Sequence, residues 1–296
     1  DDDTRSLMLD VLIALVPALA VAVYTFGARA LIHVVIAMVA SLVFETIYNK
    51  IVHHPNTVGD LSCLVTGVLI AFNIPVAAPL WLSAFGALFG IIVVKMLFGG
   101  IGKNFANPAI TGRVFMLLAF SSVAGGTNPV IVELTSTATP LELIAQQAEN
   151  TPTLMELFLG LHGGAIGETC CLALLIGFVY LLVRKVIKWH VPVIFIATVF
   201  VCYLIATGDF TYALAEILAG GLFIGAIFMA TDYVTSPITL KGKMVFALGC
   251  GLVTFVIRYF CAYPEGVSFS ILAMNILTPY IEKLTANTPL GGSKNG

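Results

Sequence analysis

Long apolar stretches alternate with short polar turns along almost the whole chain, a pattern typical of helices that cross a membrane. Most of these stretches approach the roughly 20 residues that span about 30 Å of hydrocarbon. Pro, Gly, Asn or charged residues punctuate the gaps between them, as turns require. The pattern predicts ten spans, at about 7–26, 31–48, 61–72, 80–98, 108–123, 168–186, 191–207, 212–231, 244–263 and 267–284.

The composition excludes a soluble globular domain. The chain is 59% hydrophobic and 10% charged, and its mean hydropathy is +1.03. A net charge of −2 and the lack of a basic run give no basis for nucleic-acid binding. The predicted fold is an all-α integral membrane protein of about ten transmembrane helices, in contact with membrane lipid. The chain starts at Asp1 with no cleavable signal pattern, and we expect a further N-terminal piece in the native protein.

Basic residues divide unevenly between the two sides of the membrane if every predicted span crosses. With the N-terminus inside, ten of them fall on the inner side and only Arg29 on the outer side. Because cytoplasmic loops carry the excess of Lys and Arg, we expect an inner (plasma) membrane protein with both termini cytoplasmic. Residues 124–167 are then extracytoplasmic. The inner set is Arg5, Lys50, Lys103, Arg184, Lys185, Lys188, Lys241, Lys243, Lys283 and Lys294.

The third stretch, 61–72, is short for a span, which indicates an interrupted helix with unwound backbone buried in protein. Its sequence from Leu64 to Asn73 weakly echoes Leu222 to Asp232, so the chain reads as two inverted five-helix repeats. Chance similarity between apolar stretches is the alternative. The predicted organisation is a first repeat at 1–123, an outer loop at 124–167, and a second repeat with a short cytoplasmic tail at 168–296.

The predicted outer loop is the one long polar stretch, and no Lys or Arg occurs between Arg113 and Arg184. It contains a run of hydroxyl and small residues followed by Pro140-Leu141. Exposed turns use such residues for purely local reasons, so their composition alone carries little information. The run is Glu133-Leu-Thr-Ser136-Thr137-Ala138-Thr139.

That run resembles the Asp-x-x-Ser-Gly-Ala-Thr signature, at which flavin transferases esterify the phosphate of FMN to the last Thr. The chain is similar over essentially its whole length to RnfD, the membrane D subunit of Rnf complexes. The similarity also covers the ten spans, the outer loop after the fifth span and the preceding segment Asn107-Pro-Ala-Ile-Thr-Gly-Arg113. The chain is also similar to a relative, the B subunit of the sodium-pumping NADH:quinone reductase. The resemblance implies covalent FMN on Thr139, with Ser136, Thr137 and Ala138 completing the motif.

Two residues depart from the signature. Glu133 stands where Asp is preferred, which keeps the carboxylate but lengthens its reach. Thr137 stands where Gly is preferred, which removes a residue that adopts positive φ freely and adds a neighbouring hydroxyl. Thr139 remains the aligned acceptor, with Ser136 and Thr137 as the other candidates.

Charges at membrane depth are functional candidates because they are costly in hydrocarbon. Glu45 and Lys95 lie close to the predicted inner face and have snorkelling as an alternative. Arg113, which follows Asn107 and Pro108, is a candidate for a phosphate, a flavin carbonyl or an internal carboxylate. Arg258 opposes the charge rule and is expected to have a fixed partner, either an anionic cofactor or a Glu of the loop. Cofactor-binding candidates are thus Asn107, Arg113 and Arg258.

Oxygen-rich segments at Asp60, Asp232 and Thr235-Ser236-Pro237 suit either a hard cation or a flavin edge, with helix capping as the plainer alternative. The six cysteines have no Cys-x-x-Cys spacing and are expected in the apolar core, and no metal site is predicted. The five histidines are scattered, and none is assigned chemistry.

The resemblance implies an electron-transfer subunit, not catalytic alone, of a complex that couples ferredoxin and NAD+ to Na+ or H+ translocation. It further implies a second, noncovalent flavin such as riboflavin, a flavin transferase for maturation, and partners among the other Rnf subunits, A, B, C, E and especially the FMN-bearing G. The quinone-reducing relative is one alternative. A nonredox channel or transporter with the same five-plus-five architecture is another.

Overall fold

Helices account for most of the part of the chain that the computed structural model describes, which is residues 3–55, 57–120, 128–130, 135–137, 140–145, 151–261 and 266–286. The first half contains α1 (Thr4–Phe26), α2 (Ala28–Val52), a 3-10 turn (Val58–Asp60), α3 (Ser62–Phe72), α4 (Leu80–Leu88, continued by a π-helix at Phe89–Met96) and α5 (Pro108–Ala119).

The middle contains a small antiparallel hairpin and two short helices. The hairpin pairs β1 (Asn128–Val130) with β2 (Thr135–Thr137), and the helices are α6 (Pro140–Ala145) and α7 (Leu154–Leu159). The second half contains α8 (Cys171–Val183), α9 (His190–Thr207), α10 (Phe210–Leu218), α11 (Leu222–Ile224, continued by a π-helix at Gly225–Met229), α12 (Leu240–Phe260) and α13 (Val267–Thr285).

The expectation of an all-α, multi-pass membrane protein is confirmed, and every predicted stretch contains helix. Four helices of the described chain, α1, α2, α9 and α12, are long and apolar enough to cross a membrane alone. Joining α10 to α11 across a 65° bend gives a fifth, and shorter apolar helices occur at α3, α4, α5 and α8. The count of ten spans therefore stays a prediction, because short and bent helices cross a membrane only when neighbouring helices pack around them.

Lipid-facing and buried surfaces divide as a membrane protein requires. The long helices α1, α2, α9 and α12 keep most of their surface outside the core, and many of their large apolar residues are exposed. The interior is lined instead by the short helices, and α3 is buried at nine of its 11 positions. The unusual backbone is thus enclosed by protein, as irregular structure at membrane depth requires.

The unwound segment after α3 is held by backbone and side-chain hydrogen bonds. Gly167 N–H donates to the Phe72 carbonyl at 2.9 Å, and Ile166 N–H donates to the Ile74 carbonyl at 3.1 Å. The Arg29 guanidinium donates to the carbonyls of Val76 at 2.8 Å and Ala78 at 3.0 Å. The last carbonyl of α3 and the carbonyls of the unwound segment therefore find partners within the protein.

A corresponding interruption lies between α10 and α11, where Gly220 adopts φ +68°. On the other interrupted helix, Leu61 precedes α3 with φ +64°, which is uncommon for a residue other than glycine. Helix α3 thus begins directly after a left-handed residue, and α11 begins two residues after one.

Close helix contact depends on a glycine where α8 crosses α1. A Cβ added at Gly177 would overlap the carbonyl oxygen of Ala14, which cannot move aside because it belongs to the backbone of α1. Small residues allow such approaches in membrane helices. We expect Gly177→Ala to lower stability by about 1–3 kcal/mol, the usual effect of overpacking.

The thermal midpoint of the detergent-purified protein measures this effect. Gly59→Ala is the matched control, because nothing lies within 4 Å of the position that its Cβ would take. Equal midpoints for the two variants would show that α1 and α8 do not pack this closely.

Candidate functional site

An open cavity lies between the two interrupted helices and is lined by α3 and the π-helical part of α11. Apolar side chains form most of its walls, among them Val65, Leu69, Ile227 and Phe228. Polar groups enter from a few positions, namely Ser62, Thr66, Lys95, Asn104, Asn107 and Asp232. An apolar cleft with a few convergent polar groups is the usual form of a small-molecule site.

Two π-helical segments lie beside this cavity. Phe89–Met96 ends α4 and brings Lys95 to the wall, and Gly225–Met229 ends α11 and brings Ile227 and Phe228. π-Helical turns are rare and are often found at functional sites, since the wider turn displaces side chains from the usual helical positions. The hydrophobic pattern predicted helices here but gave no sign of this geometry.

Asn107 joins the two halves of the protein at the cavity. Its Oδ1 accepts from the N–H groups of Ala109 at 2.9 Å and Ile110 at 3.3 Å, which caps α5. Its Nδ2 donates to the Met229 carbonyl at 3.2 Å, at the end of α11. The predicted cofactor candidate thus lies on the cavity wall, with its amide engaged by the protein on both sides.

Asn275 of α13 completes this junction. In the amide orientation that satisfies both groups, it accepts from the Asn107 N–H at 3.2 Å and donates to the Thr235 carbonyl at 3.1 Å. Thr278 donates to the same carbonyl at 3.0 Å. The turn that follows α11 is therefore fixed by side chains, and the cavity has a defined floor.

Lys95 and Glu45 form a buried ion pair at the wall of the cavity. Lys95 Nζ lies 2.7 Å from Glu45 Oε2 and 2.7 Å from Ser62 Oγ, and the two charged side chains are 3% and 0% exposed. Thr57 donates to the other oxygen of Glu45 at 2.6 Å. Neither residue snorkels to a surface, so the alternative considered from the sequence is wrong for both.

Arg113 lies at a second buried junction, between α5 and the segment preceding α8. Its guanidinium donates to the Asn73 side chain and lies 3.7 Å from Glu168 Oε2. The other oxygen of Glu168 accepts from Ala165 N–H at 2.9 Å. Three partners were considered for Arg113, and the one found in the structure is the internal carboxylate, Glu168. Glu168 was not singled out from the sequence because it lies at the edge of a loop.

Arg258 has a fixed partner, as expected, but the partner is Glu216 of α10. The two charged groups lie 3.8 Å apart and are 1% and 4% exposed. Arg258 also donates to the Glu216 carbonyl at 2.7 Å and lies 3.4 Å from the Ala219 carbonyl, at the interruption before α11. The guanidinium therefore stabilises that interruption, and neither of the partners considered from the sequence is the one found.

The acidic residues Asp60 and Asp232 bond to residues two or three positions further along the chain. Asp60 Oδ1 accepts from the N–H and hydroxyl of Ser62 at 2.8 and 2.5 Å, and Asp232 accepts from Val234 N–H at 3.3 Å and the Thr235 hydroxyl at 3.0 Å. Within the described ranges, no three His, Cys, Asp or Glu side chains come together as a metal site.

The hydroxyl motif is only partly within the described residues. Ser136 and Thr137 lie in β2, whereas Ala138 and Thr139 lie outside the described residues. Helix α6 begins at Pro140, and Leu141 and Ile144 are buried. A Cβ added at Gly220 would lie 2.5 Å from Leu141 Cδ1, so this helix rests on the interruption between α10 and α11.

The predicted outer loop ends in a short capped helix, followed by a stretch that is built into the protein. Helix α7 has a capping box, in which the N–H and hydroxyl of Thr153 contact Glu156 at 2.7 and 2.9 Å and lower the pKa of that carboxyl. Beyond it, His162 is buried between the carbonyls of Gly163 and Thr169, and burial lowers its pKa. The stretch 165–167 then pairs with the backbone after α3.

These features define a multi-pass membrane protein with a mainly apolar cavity between two interrupted helices and with buried ion pairs, one of which, Lys95–Glu45, lies at the cavity wall. The chain belongs to the NQR2, RnfD, RnfE family, whose model matches residues 1–291. The expected family resemblance is therefore confirmed.

Relatives match over nearly their whole lengths. The D subunit of the Na(+)-translocating ferredoxin:NAD(+) oxidoreductase complex of Acetobacterium woodii is 44% identical over 295 residues, covering 98% of this chain and 92% of that protein. The D subunit of the proton-translocating ferredoxin:NAD(+) oxidoreductase complex of Clostridium ljungdahlii is 37% identical, covering 98% and 93%. The D subunit of the ion-translocating oxidoreductase complex of Cronobacter sakazakii is 33% identical, covering 95% and 93%.

Proposed function

We propose that this chain is the membrane D subunit of an ion-translocating ferredoxin:NAD+ oxidoreductase complex and passes electrons across the membrane through bound flavin. The observation that carries the proposal is identity of 33–44% with three D subunits of ion-translocating oxidoreductase complexes, two of them named for ferredoxin:NAD(+), over at least 92% of their lengths. The sites for ferredoxin and NAD+ belong to other subunits, since the sequence has neither a Rossmann glycine fingerprint nor cluster-binding cysteines. The proposed partners are the other Rnf subunits, A, B, C, E and G, with the FMN-bearing G next to the outer loop.

Thr139 is the proposed attachment site of covalent FMN. The support is its position as the last residue of the motif, one residue before α6 and two residues after β2. Because α6 is buried against the interruption between α10 and α11, the chain directly after Thr139 is anchored to the bundle. A phosphodiester through the threonine hydroxyl leaves the isoalloxazine ring available for one- or two-electron transfer.

The cavity beside α3 and α11 is the proposed site of a second, noncovalent flavin such as riboflavin. Its apolar walls suit the faces of a flat aromatic ring, and Asn104 and Thr66 supply hydrogen-bonding groups suited to the polar edge. Bound there, the flavin would supply one- and two-electron redox chemistry, and the protein would orient and tune it.

The two inverted repeats are proposed on a correspondence between buried ion pairs. Lys95 lies near the end of α4, the fourth helix of the first repeat, and pairs with Glu45. Arg258 lies near the end of α12, the fourth helix of the second repeat, and pairs with Glu216. Lys95 contacts Ser62 at the start of α3, and Arg258 contacts the Ala219 carbonyl shortly before α11, so each pair lies near the beginning of the short buried helix of its own repeat.

The proposed topology predicts the sides from which engineered cysteines react. In a background without native cysteines, Met155→Cys on α7 should be labelled by a membrane-impermeant maleimide from outside intact cells. Lys188→Cys, between α8 and α9, should react only after the inner face is opened. Both side chains are exposed, so poor reactivity would not arise from burial. Labelling of position 155 from the cytoplasm would contradict the proposed orientation.

The function is tested in a strain that lacks this subunit. Membranes complemented with the tagged chain should regain reduced-ferredoxin:NAD+ oxidoreductase activity and Na+- or H+-coupled transport, and the other subunits should purify with the tag. If the membranes instead transfer electrons from NADH to quinone and do not reduce NAD+, the chain belongs to the quinone-reducing branch of the family. Solute flux without bound flavin or partner subunits would instead identify a nonredox transporter.

A further inference from the structure

The ammonium group of Lys95 is fixed at the wall of the cavity rather than free to move. Helix α4 supplies the lysine, α2 supplies Glu45 and α3 supplies Ser62, so three helices determine where Nζ lies. Each of the two contacts is 2.7 Å long, which is typical of a charge-assisted hydrogen bond. A lysine ammonium has three donors, and its two contacts with Glu45 and Ser62 leave one for a ligand in the cavity.

The surroundings of Lys95 make its charge effective at short range. The side chain is 3% exposed and the wall around it is mainly apolar, so water screens the charge weakly. Glu45 offsets the charge from the side away from the cavity. The other ionisable groups near the pair are Asp60, which accepts from the Ser62 hydroxyl, Cys63 on α3, and Asp232 across the cavity.

This arrangement is more than the interior needs for packing. A buried ion pair is no more stabilising than well-packed apolar residues of the same volume. Charged groups at membrane depth are therefore functional candidates by default. Glu45 is enclosed on every side, whereas Lys95 contributes to the cavity surface, so the pair presents a positive charge to whatever binds there.

We propose that Lys95 is a positioning residue that favours the reduced, anionic form of a redox-active ring in the cavity, with Glu45 and Ser62 holding its ammonium in place. This inference rests on the proposed function, because it takes the cavity as a flavin site. A fixed donor near a group that gains negative charge on reduction binds the reduced form more tightly than the oxidised form. The midpoint potential is raised accordingly.

The test uses the full chain carrying Thr139→Ala, reconstituted in nanodiscs with added riboflavin, so that the noncovalent flavin is the only one present. Occupancy is measured by extraction and chromatography, and the midpoint potential by spectroelectrochemical titration at fixed pH. Lys95→Met should weaken binding of reduced relative to oxidised flavin about tenfold, which lowers a two-electron midpoint by about 30 mV. Lys95→Arg keeps the charge and should stay near the reference potential.

Lys103→Met is the matched control, because it removes the same charge from an exposed lysine that does not line the cavity. Its potential should equal that of the reference. Loss of flavin from Lys95→Met alone, with Lys95→Arg still occupied at the reference potential, also supports a role for the charge.

Three results would overturn the inference. An unchanged potential in Lys95→Met would show that the charge does not act on the ring. Equal losses of flavin or potential in Lys95→Met and Lys95→Arg would indicate a purely structural role. Failure of the reference protein to bind riboflavin would remove the cavity assignment as well, whereas the first two results leave that assignment standing.

Discussion

Thr139→Ala should abolish covalent flavin on this subunit, so that its band loses all fluorescence under ultraviolet light after denaturing electrophoresis. The proposed phosphodiester needs a hydroxyl oxygen, and alanine has none. Thr139→Ser keeps the oxygen and should retain part of the signal. Ferredoxin-to-NAD+ electron transfer by the complex should fall to background, because the variant lacks the proposed outer electron carrier.

The loss should occur without loss of the protein. One residue of a polar loop contributes little to burying the apolar helices, so membrane insertion and co-purification of the other subunits should be unchanged. Peptide mass spectrometry of the unsubstituted protein, produced with the flavin transferase, should find the mass of FMN on the fragment that contains Thr139. Modification of Ser136 or Thr137 would correct the site, and no flavin in the presence of the transferase would refute the proposed attachment.

Arg113→Met should strongly lower the stability and the yield of the folded protein. The substitution leaves Glu168 buried without its nearby cation and removes the donor to Asn73. Removing one partner of a buried ion pair usually costs about 3–5 kcal/mol, a large part of the stability of a typical domain. Size-exclusion chromatography and the thermal midpoint of the solubilised protein measure the loss.

A half-exposed ion pair provides the comparison for Arg113. Arg184 contacts Asp10 at 3.2 Å, but its side chain is 52% exposed, and Asp10 also accepts from the Tyr180 hydroxyl at 2.8 Å. Arg184→Met should therefore cost at most about 1 kcal/mol. The double variant Arg113→Met/Glu168→Gln should recover part of the lost stability, since it removes the buried carboxylate charge. Equal midpoints for Arg113→Met and Arg184→Met would show that the buried pair contributes no more than the exposed one.

The sequence determined the class of protein and the position of nearly every helix. Apolar stretches long enough for hydrocarbon are local features, so their positions do not depend on how the helices pack. The family can also be recognised from the sequence. The two segments that carry the resemblance, the motif ending at Thr139 and the segment from Asn107 to Arg113, are each an uninterrupted stretch of chain. The expected interruption after α3 follows from the short apolar run and Pro75, which are likewise local.

Only the tertiary structure decided which charges meet. Glu45 and Lys95 are 50 positions apart, and Arg258 and Glu216 are 42 apart, so no spacing rule connects them. Arg29 was counted from the sequence only as the one outer base, yet it bonds to the unwound backbone after α3. The physical reason is that a buried charge or carbonyl must be satisfied by whichever group packing brings near, and that group is chosen by helices far apart in the chain.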